Sequence, residues 1–253
     1  MKKKFMISAI LIFISLASLS FVIIKITTIK SNAPVSINRD IKDELLDKDP
    51  VDQGMLEEEG QDNFTHQPLT SEVINRIKGV SWKEEAPVGL SDLSYVQVLH
   101  WGFDHREHTG ELIVHKRVAE EIIQIFKELY EARFPIEKIK LIDEYGADDG
   151  LSMEDNNTSA FCFREIEGKK GILSKHSYGI AIDINPVQNP HIKGQKISPT
   201  AGEEYRDREN VRKGMIVKDG ICYRTFKERG WTWGGEWKSL KDYQHFQKEI
   251  DLD

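Results

Sequence analysis

The sequence predicts a domain of the α+β class. Residues 117–133 carry apolar side chains every three or four positions, which is the spacing of an amphipathic helix. Residues 180–185 alternate isoleucine with small or polar residues, which is the pattern of a strand with two different faces. The predicted helices and strands do not follow the regular alternation of a parallel sheet with crossover helices. We therefore expect an α+β fold rather than an α/β fold.

The chain begins with a segment predicted to insert into a membrane. Lys2, Lys3 and Lys4 precede twenty uncharged residues, 5–24, which as a helix would rise about 30 Å, the thickness of a bilayer core. Because the positive charge precedes the span, the N-terminus is expected to stay inside and the remaining chain outside the cell membrane. We interpret residues 1–30 as a single-pass signal-anchor. The alternative is a cleaved signal peptide, which would give a secreted protein.

Residues 31–70 are predicted to form an acidic, flexible linker. Within them, residues 39–62 hold ten acidic and three basic side chains and show little apolar periodicity. Such a segment buries too little apolar surface to offset the entropy cost of ordering it. The whole chain has a net charge of −7, whereas a nucleic-acid binder needs a basic face, so we expect no nucleic-acid partner. Residues 71–253 are assigned to one folded domain.

The middle of this domain is predicted to contain a helix, a strand and a loop. Residues 117–133 form the helix, which Phe134-Pro135 ends. Residues 136–142 have the composition of a strand, and residues 145–158 are rich in Gly, Asp and Asn, which predicts a loop.

The C-terminal part is predicted to be mostly irregular around two strand regions. After the strand at 180–185, residues 186–210 have the composition of a long polar connection. Residues 231–237 place two glycines between tryptophans, which predicts a hairpin. Its tryptophans either line a substrate groove or pack on a core.

The two cysteines and the histidines at positions 100–115 are not predicted to form a metal site. We favour Cys162 and Cys222 as two small buried apolar residues over a single disulfide. A cysteine-based zinc finger is excluded because no CxxC pair is present. The four histidines between His100 and His115 are expected on surface loops rather than at a second metal site, because glycine and aspartate lie among them.

Two other histidines and two aspartates suit a hydrolytic zinc site. Such a site takes three ligands from His, Asp or Glu and keeps a position open for water. His176 precedes the predicted strand, Asp183 lies on its polar face, and His245 would come from a distant segment. Asp242 could reach the water as a general base. On spacing alone, hydrogen-bonded structural roles are the more common explanation for such residues.

Three separated motifs resemble one family of zinc peptidases. The pattern Ser174-x-His176-x-x-Gly179-x-Ala181-x-Asp183 resembles the signature of VanY-type D-Ala-D-Ala carboxypeptidases, whose relatives include L-alanyl-D-glutamate endopeptidases. The endopeptidase branch is similar to two further stretches, Asn157-Thr-Ser-Ala-Phe161-x-x-Arg164 and Trp233-Gly-Gly-x-Trp237-x5-Tyr243-Gln-His245-Phe246. The resemblance implies a single domain of the hedgehog/DD-peptidase type, with a small antiparallel sheet and flanking helices.

The resemblance also implies roles for individual residues. It implies His176, Asp183 and His245 as Zn²⁺ ligands and Asp242 as the general base. Arg164 falls where the family holds the substrate and stabilises the developing oxyanion. Ser174 would orient the substrate or the zinc ligands. Gln247 departs from the family pattern, in which Glu often follows His-Phe, and this difference is expected to affect the support of a ligand rather than zinc binding itself.

The resemblance implies a zinc-dependent peptidase that hydrolyses peptidoglycan stem peptides. The closing motif favours the L-Ala–D-Glu bond, and a D-Ala-D-Ala carboxypeptidase of the same family is the alternative. A non-catalytic, zinc-containing module that binds the cell wall is an alternative from another class. The retained Asp242 favours the enzyme, since such a module does not need a general base.

Overall fold

The computed structural model describes residues 63–252. The predicted membrane segment and residues 31–62 of the predicted linker lie outside this range. Within residues 63–252, no helix combines the length and the apolar character needed to cross a bilayer.

Four α-helices and eleven short strands are described in this range. The helices are α1 Ser71–Ile77, α2 Ala119–Glu131, α3 Asp149–Glu154 and α4 Ile221–Glu228. The strands are β1 Thr65–Pro68, β2 Leu93–Trp101, β3 Glu107–His115, β4 Lys138–Ile139, β5 Asn157–Thr158, β6 Ala181–Asp183, β7 His191–Lys193, β8 Lys196–Ser198, β9 Thr232–Trp233, β10 Lys241–Asp242 and β11 His245–Gln247. This mixture of helices and small sheets confirms the predicted α+β class.

The strands form four small sheets. Three are antiparallel, with strand orders β1-β2-β3, β10-β7-β8 and β6-β11-β9, and β4 pairs with β5 in parallel. The β6-β11-β9 sheet matters most for the site, because it brings together segments that lie far apart in the sequence. In its register, His245 is directly opposite Asp183.

The β1-β2-β3 sheet forms the central layer and is covered on both faces. Along β2, Val96 and Val98 face the core shared with α2, whereas Leu93 and Tyr95 face the smaller core of α1. This alternation follows from the two-residue period of a strand. Burial of each large aliphatic side chain contributes about 2 kcal/mol, so the two cores fix the sheet firmly.

The same core anchors the strands of the candidate site. Ile182 and Ile184 of the predicted strand are buried in the larger core. Phe246 of β11 is also fully buried, and its ring stacks on Phe226 of α4 with centroids 4.0 Å apart. Because side chains alternate along a strand, this anchoring turns Asp183 and His245 away from the core and towards each other.

Several predicted elements are confirmed or corrected in the first half of the domain. The helix at 117–133 is confirmed as α2. The strand at 136–142 shortens to the two residues of β4. The loop at 145–158 is wrong in part, because it contains α3 and β5. The Asp148 side chain accepts a hydrogen bond from the Leu151 amide and so caps α3 at its start.

The predicted hairpin at 231–237 is wrong. β9 pairs with β11 instead, and Gly234–Glu236 form a 3₁₀ turn. The two glycines allow close approach: a Cβ on Gly235 would lie 2.3 Å from the Trp233 ring, and one on Gly234 would lie 2.5 Å from the Asp242 carbonyl oxygen. The long polar connection predicted at 186–210 also contains structure, namely the hairpin of β7 and β8.

Other expectations have mixed outcomes. Cys162 and Cys222 are both buried and unpaired, as favoured. His100 and His115 are not on surface loops: they lie in β2 and β3 and are buried. β1, which lies in the range predicted as linker, pairs with β2.

The tryptophans of the 231–237 segment divide between the two roles considered. Trp231 and Trp233 pack in the larger core. Trp237 is half-buried, and its ring lies 5.4 Å from that of His245. Trp237 therefore remains a candidate for lining a substrate groove.

Candidate metal centre

Three buried side chains converge at the edge of the β6-β11-β9 sheet. Asp183 Oδ2 lies 3.1 Å from His176 Nε2, and Asp183 Oδ1 lies 2.8 Å from His245 Nδ1. His176 Nε2 and His245 Nδ1 are 3.3 Å apart. One ligand atom from each residue lies within 4.8 Å of the others, so the cluster could bind a metal ion.

The hydrogen bonds behind the two imidazoles turn their free lone pairs towards this cluster. His176 Nδ1 lies 2.5 Å from the Ala160 carbonyl oxygen, and His245 Nε2 lies 3.1 Å from Gln247 Oε1. Each partner is an acceptor, so in the neutral ring the proton belongs on the nitrogen that faces it. The nitrogens that face Asp183 are then the ones free to coordinate a metal. This outer support is typical of histidine ligands.

The charges of the cluster also fit a cation. Burial alone would raise the pKa of Asp183, but the two imidazoles hold it well below its usual value. Burial lowers the pKa of His245, and Asp183 more than offsets this, so that the pKa rises to about 9. The buried carboxylate thus stabilises positive charge beside it, which is what a bound divalent cation requires.

A short 3₁₀ turn, Lys175–Tyr178, places His176. The Ser174 hydroxyl accepts a hydrogen bond from the His176 amide at 3.3 Å and caps this turn. Gly179 ends the turn with φ of 70°, and a Cβ there would lie 2.5 Å from the His115 amide nitrogen. The structure therefore gives Ser174 a local role in holding the turn of His176.

Arg164 is held next to the cluster by two contacts. Its Nη2 lies 3.1 Å from Asp149 Oδ1 of α3. The Ser177 hydroxyl accepts from the Arg164 amide at 3.0 Å and donates to its carbonyl oxygen at 2.8 Å. Burial lowers the pKa of Arg164, but Asp149, Asp183 and Asp242 raise it, and the net shift is upward. The guanidinium is therefore a fixed cation, and its buried Nε has no hydrogen-bond partner.

Asp242 is the last of the predicted site residues. Its Oδ1 is buried and has no hydrogen-bond partner. Burial raises the pKa of Asp242 to about 7, with the Asp183 charge adding to the rise and His245 and Arg164 opposing it. A carboxylate with a pKa near neutrality and a free oxygen can both take up and release a proton, which suits a general acid–base.

The sequence motifs missed several supporting groups. They are Asp149 behind Arg164, Ser177 at the Arg164 backbone and the Ala160 carbonyl behind His176. A carbonyl oxygen has no residue signature, and Asp149 is brought in by α3, which was predicted to be loop. Ala160 and Ser177 lie inside motifs that the sequence singled out, but neither was assigned a role.

A family model described as D-alanyl-D-alanine carboxypeptidase matches residues 167–248. The match includes Ser174, all three cluster residues and Asp242, while Arg164 lies just before it. No solved structure matches the chain.

The match and the site together support a peptidase directed at peptidoglycan, with a buried His-Asp-His cluster that could hold its metal ion. The match does not separate the carboxypeptidases from the endopeptidases.

Proposed function

We propose that the chain is a zinc-dependent peptidase that hydrolyses peptidoglycan stem peptides at the L-Ala–D-Glu bond. The observation that carries the proposal is the convergence of His176, Asp183 and His245, with their lone pairs facing inward, in a segment that matches a peptidase family. Zinc held by these residues would polarise the scissile carbonyl and make a water molecule more acidic. Two His nitrogens and a carboxylate oxygen are a usual ligand set for catalytic zinc.

Two neighbouring residues would carry the proton transfer and the charge stabilisation. Asp242, with its unpaired oxygen, would take the proton of the attacking water and deliver it to the leaving amine. Arg164, fixed by Asp149, would donate hydrogen bonds to the carbonyl oxygen as negative charge grows there. A cation already held in place needs no reorganisation during the reaction, which is why its fixation matters.

Two alternatives remain. The description of the matching family favours a D-Ala-D-Ala carboxypeptidase, which would need a group that recognises the terminal carboxylate. A non-catalytic zinc-containing module for cell-wall binding would not require Asp242 to be retained with a free oxygen beside the cluster. The resemblance of the closing motif leads us to prefer the endopeptidase.

The proposal extends to architecture and location. We propose a hedgehog/DD-peptidase-like domain held outside the cell by a membrane anchor within residues 1–30. A linker that ends before β1 would let the domain reach peptides of the wall. Secretion after cleavage of the segment is the alternative.

Digestion of purified peptidoglycan by the full-length protein in detergent tests this function. The products are identified by mass spectrometry, with and without a zinc chelator. New D-Glu amino termini that disappear with chelator would support the endopeptidase, and loss of one terminal D-Ala would support the carboxypeptidase. Absence of both products from a zinc-loaded protein would favour the binding module.

Two variants sharpen the test. We expect Asp242→Asn to lower kcat at least 1,000-fold while zinc content is kept, because general base and acid are both lost. His176→Ala should lose zinc and activity together. Asp219→Asn, which neutralises an exposed aspartate elsewhere, is the matched control and should keep full activity. Wild-type activity in the Asp242 variant would contradict the mechanism.

A further inference from the structure

A surface cavity of about 350 Å³ lies beside the segment that carries Asp242. Its lining includes two basic residues, Arg208 and Lys218, and two aromatic residues, Trp233 and Tyr243. A volume of this size is at the lower end of sites for small ligands and suits a fragment of a peptide. None of these residues belongs to the candidate metal centre.

Arg208 brings a cation to this cavity without a carboxylate to balance it. Its Nη1 donates to the Gln188 carbonyl oxygen at 2.6 Å, and its Nη2 donates to Asn189 Oδ1 at 3.1 Å and the Ile216 carbonyl oxygen at 2.9 Å. All three acceptors are neutral. Burial lowers the pKa of Arg208 to about 10, so the fold bears a desolvation cost for its charge. Its guanidinium remains charged at neutral pH.

The other half-buried arginines in residues 63–252 show how the protein usually handles such a charge. There are five of them, and each pairs with a carboxylate at 2.5–3.1 Å. The pairs are Arg76–Glu111, Arg164–Asp149, Arg206–Glu203, Arg212–Glu204 and Arg229–Glu128. Arg208 is the exception. A desolvated cation beside a cavity that has only neutral partners is complementary to an anion from outside the chain.

The residues around Arg208 do not neutralise its positive charge. The lining contains an acid, Glu236, whose oxygens accept from the Tyr223 hydroxyl at 2.7 Å and from Lys227 Nζ at 3.0 Å. Lys218 is exposed and adds a second positive charge. The cavity therefore favours negative charge at Arg208.

The aromatic wall is rigid and joins the cavity to the candidate site. Trp233 Nε1 donates to the Tyr243 carbonyl oxygen at 2.8 Å, and the Arg208 guanidinium lies over the Tyr243 ring, 4.3 Å from its centroid. Tyr243 directly follows Asp242. One stretch of backbone thus carries the proposed general base and the wall of the cavity, so a peptide held in the cavity lies close to that stretch.

We propose that this cavity binds a carboxylate group of the peptide substrate, with Arg208 as its anchor and Lys218 as a second charge. The identity of the peptide rests on the proposed function, whereas the preference for a carboxylate rests on the cavity itself. A stem peptide offers two such groups, the α-carboxylate of its γ-linked D-Glu and its C-terminal carboxylate.

Binding to zinc-stripped full-length protein tests the cavity separately from catalysis. The probe is the synthetic stem pentapeptide L-Ala-γ-D-Glu-L-Lys-D-Ala-D-Ala, and calorimetry gives its Kd. Two further pentapeptides carry an amide in place of one carboxylate each, so they identify which group is bound. The proteins compared are wild type, Arg208→Met, Lys218→Glu and, as control, Lys193→Met, an exposed lysine that does not line the cavity.

We expect Arg208→Met to raise the Kd about tenfold, as for loss of one charge-assisted hydrogen bond. For wild type, one of the two amidated peptides should bind about tenfold more weakly than the unmodified peptide. For Arg208→Met, the same amidated peptide should bind as tightly as the unmodified one. This coupling separates charge recognition from a structural role, since a merely loosened cavity would weaken all peptides alike. Lys193→Met should bind like wild type.

Two results would overturn the proposal: no binding by wild type, or equal effects of amidation in wild type and in folded Arg208→Met. Should Arg208→Met fail to fold, Lys218→Glu tests the proposal in its place. We expect Lys218→Glu to lose affinity for the unmodified peptide and to keep its affinity for the amidated peptide, and equal losses for both would overturn the proposal. Cleavage by the zinc-loaded protein is scored independently. Arg208-dependent binding without cleavage would refute the proposed function and leave the cavity proposal standing. Cleavage without Arg208-dependent binding would refute the cavity proposal and leave the proposed function standing.

Discussion

The amide oxygen of Gln247 accepts the Nε2 proton of His245 and so decides which nitrogen of that ring faces Asp183. Its position two residues after His245 in β11 places both side chains on the same side of the strand. A leucine there would fill similar space but would leave the ring nitrogen without its acceptor. The ring would then lose both its orientation and part of its basicity.

Gln247→Leu should therefore weaken zinc binding about tenfold. Gln247→Glu should bind zinc at least as tightly as wild type, because a carboxylate is a stronger acceptor. The zinc Kd is measured by competition with a chromophoric chelator. Gln195→Leu, at an exposed position, is the control. Unchanged affinity in Gln247→Leu would show that this hydrogen bond does not support the site.

At the scale of residues, the motifs named the side chains that we propose to carry the chemistry and missed those that hold them in place. His176, Asp183 and His245 are distinctive because few residue types can bind zinc. Asp149 and Ala160 act through position alone, one as a charge and one as a carbonyl oxygen. Their contacts depend on how α3 and residues 160–164 pack, which no local pattern encodes.

Among the helices, α3 has the most direct link to the candidate site. It is only six residues long, and its first residue, Asp149, pairs with Arg164. An asparagine at 149 would keep the shape but would lose the charge that holds the guanidinium. Arg164 would then sample more positions and stabilise the growing oxyanion less well.

We expect Asp149→Asn to lower kcat about tenfold with little change in KM, in the digestion assay with a soluble stem peptide. The matched control is Asp148→Asn, which removes the adjacent charge while asparagine still caps α3. If both variants had the same kcat as wild type, Asp149 would not be needed to position Arg164.

A second element-scale feature joins α1 to β3. Arg76 of α1 donates to both oxygens of Glu111, at 3.1 and 2.7 Å, and the Tyr95 hydroxyl donates to the same carboxylate at 2.5 Å. The hydrogen bond from Arg76 holds the pKa of Glu111 below its ordinary value of 4.5, despite partial burial. A carboxyl group with a depressed pKa stabilises the fold fully above about pH 4.5 and loses this contribution as pH falls through the folded-state pKa.

Glu111→Gln should consequently lower the free energy of unfolding by about 1–2 kcal/mol at pH 7. The difference from wild type should shrink as the pH falls below 4.5. Urea unfolding at pH 7, 5 and 3.5 measures both. A difference that stayed constant with pH would mean that the charge of Glu111 contributes nothing.

Helices and strands were predictable where the pattern of apolar residues lies within the element itself. The α2 helix follows from its apolar spacing. The β9–β11 pairing does not, because Gly234 and Gly235 have the composition of a hairpin turn and serve close packing instead. α3 was hidden by its Gly- and Asp-rich composition, although Asp148 is an ordinary N-cap residue.

For the whole molecule, a metal ion bound at the candidate centre would link distant parts of the chain. His176 and His245 are 69 residues apart, and Asp183 contacts both. A ligand that binds only the folded state stabilises it by RT ln(1 + [L]/Kd), about 4 kcal/mol at a thousandfold excess over Kd. For a domain of this size that corresponds to a rise in Tm of about 10 °C.

Zinc removal should therefore lower the Tm of the wild type by about 10 °C, and zinc return should restore it. Differential scanning calorimetry with a chelator, then with excess Zn²⁺, measures this. His176→Ala provides the comparison, because its Tm should hardly respond to either treatment. Equal responses of the two proteins would place the stabilising metal elsewhere.

The fold class of the whole domain was accessible from the sequence because the irregular order of helix and strand signals excludes an α/β architecture. The sheet topology was not. Four sheets of two or three short strands are defined by long-range pairing, and strands of two residues such as β4 and β10 carry no periodicity to detect.

The order of the cluster residues along the chain also bears on when the protein can become active. Ribosomes build a chain from its N-terminus, and Asp183 emerges 62 residues before His245. Until then, a growing chain has only two of the three side chains of the centre, and β6 lacks the strand that covers it. On the proposed function, chains that stop short of residue 245 would therefore lack a ligand of the candidate centre and would not hydrolyse peptidoglycan.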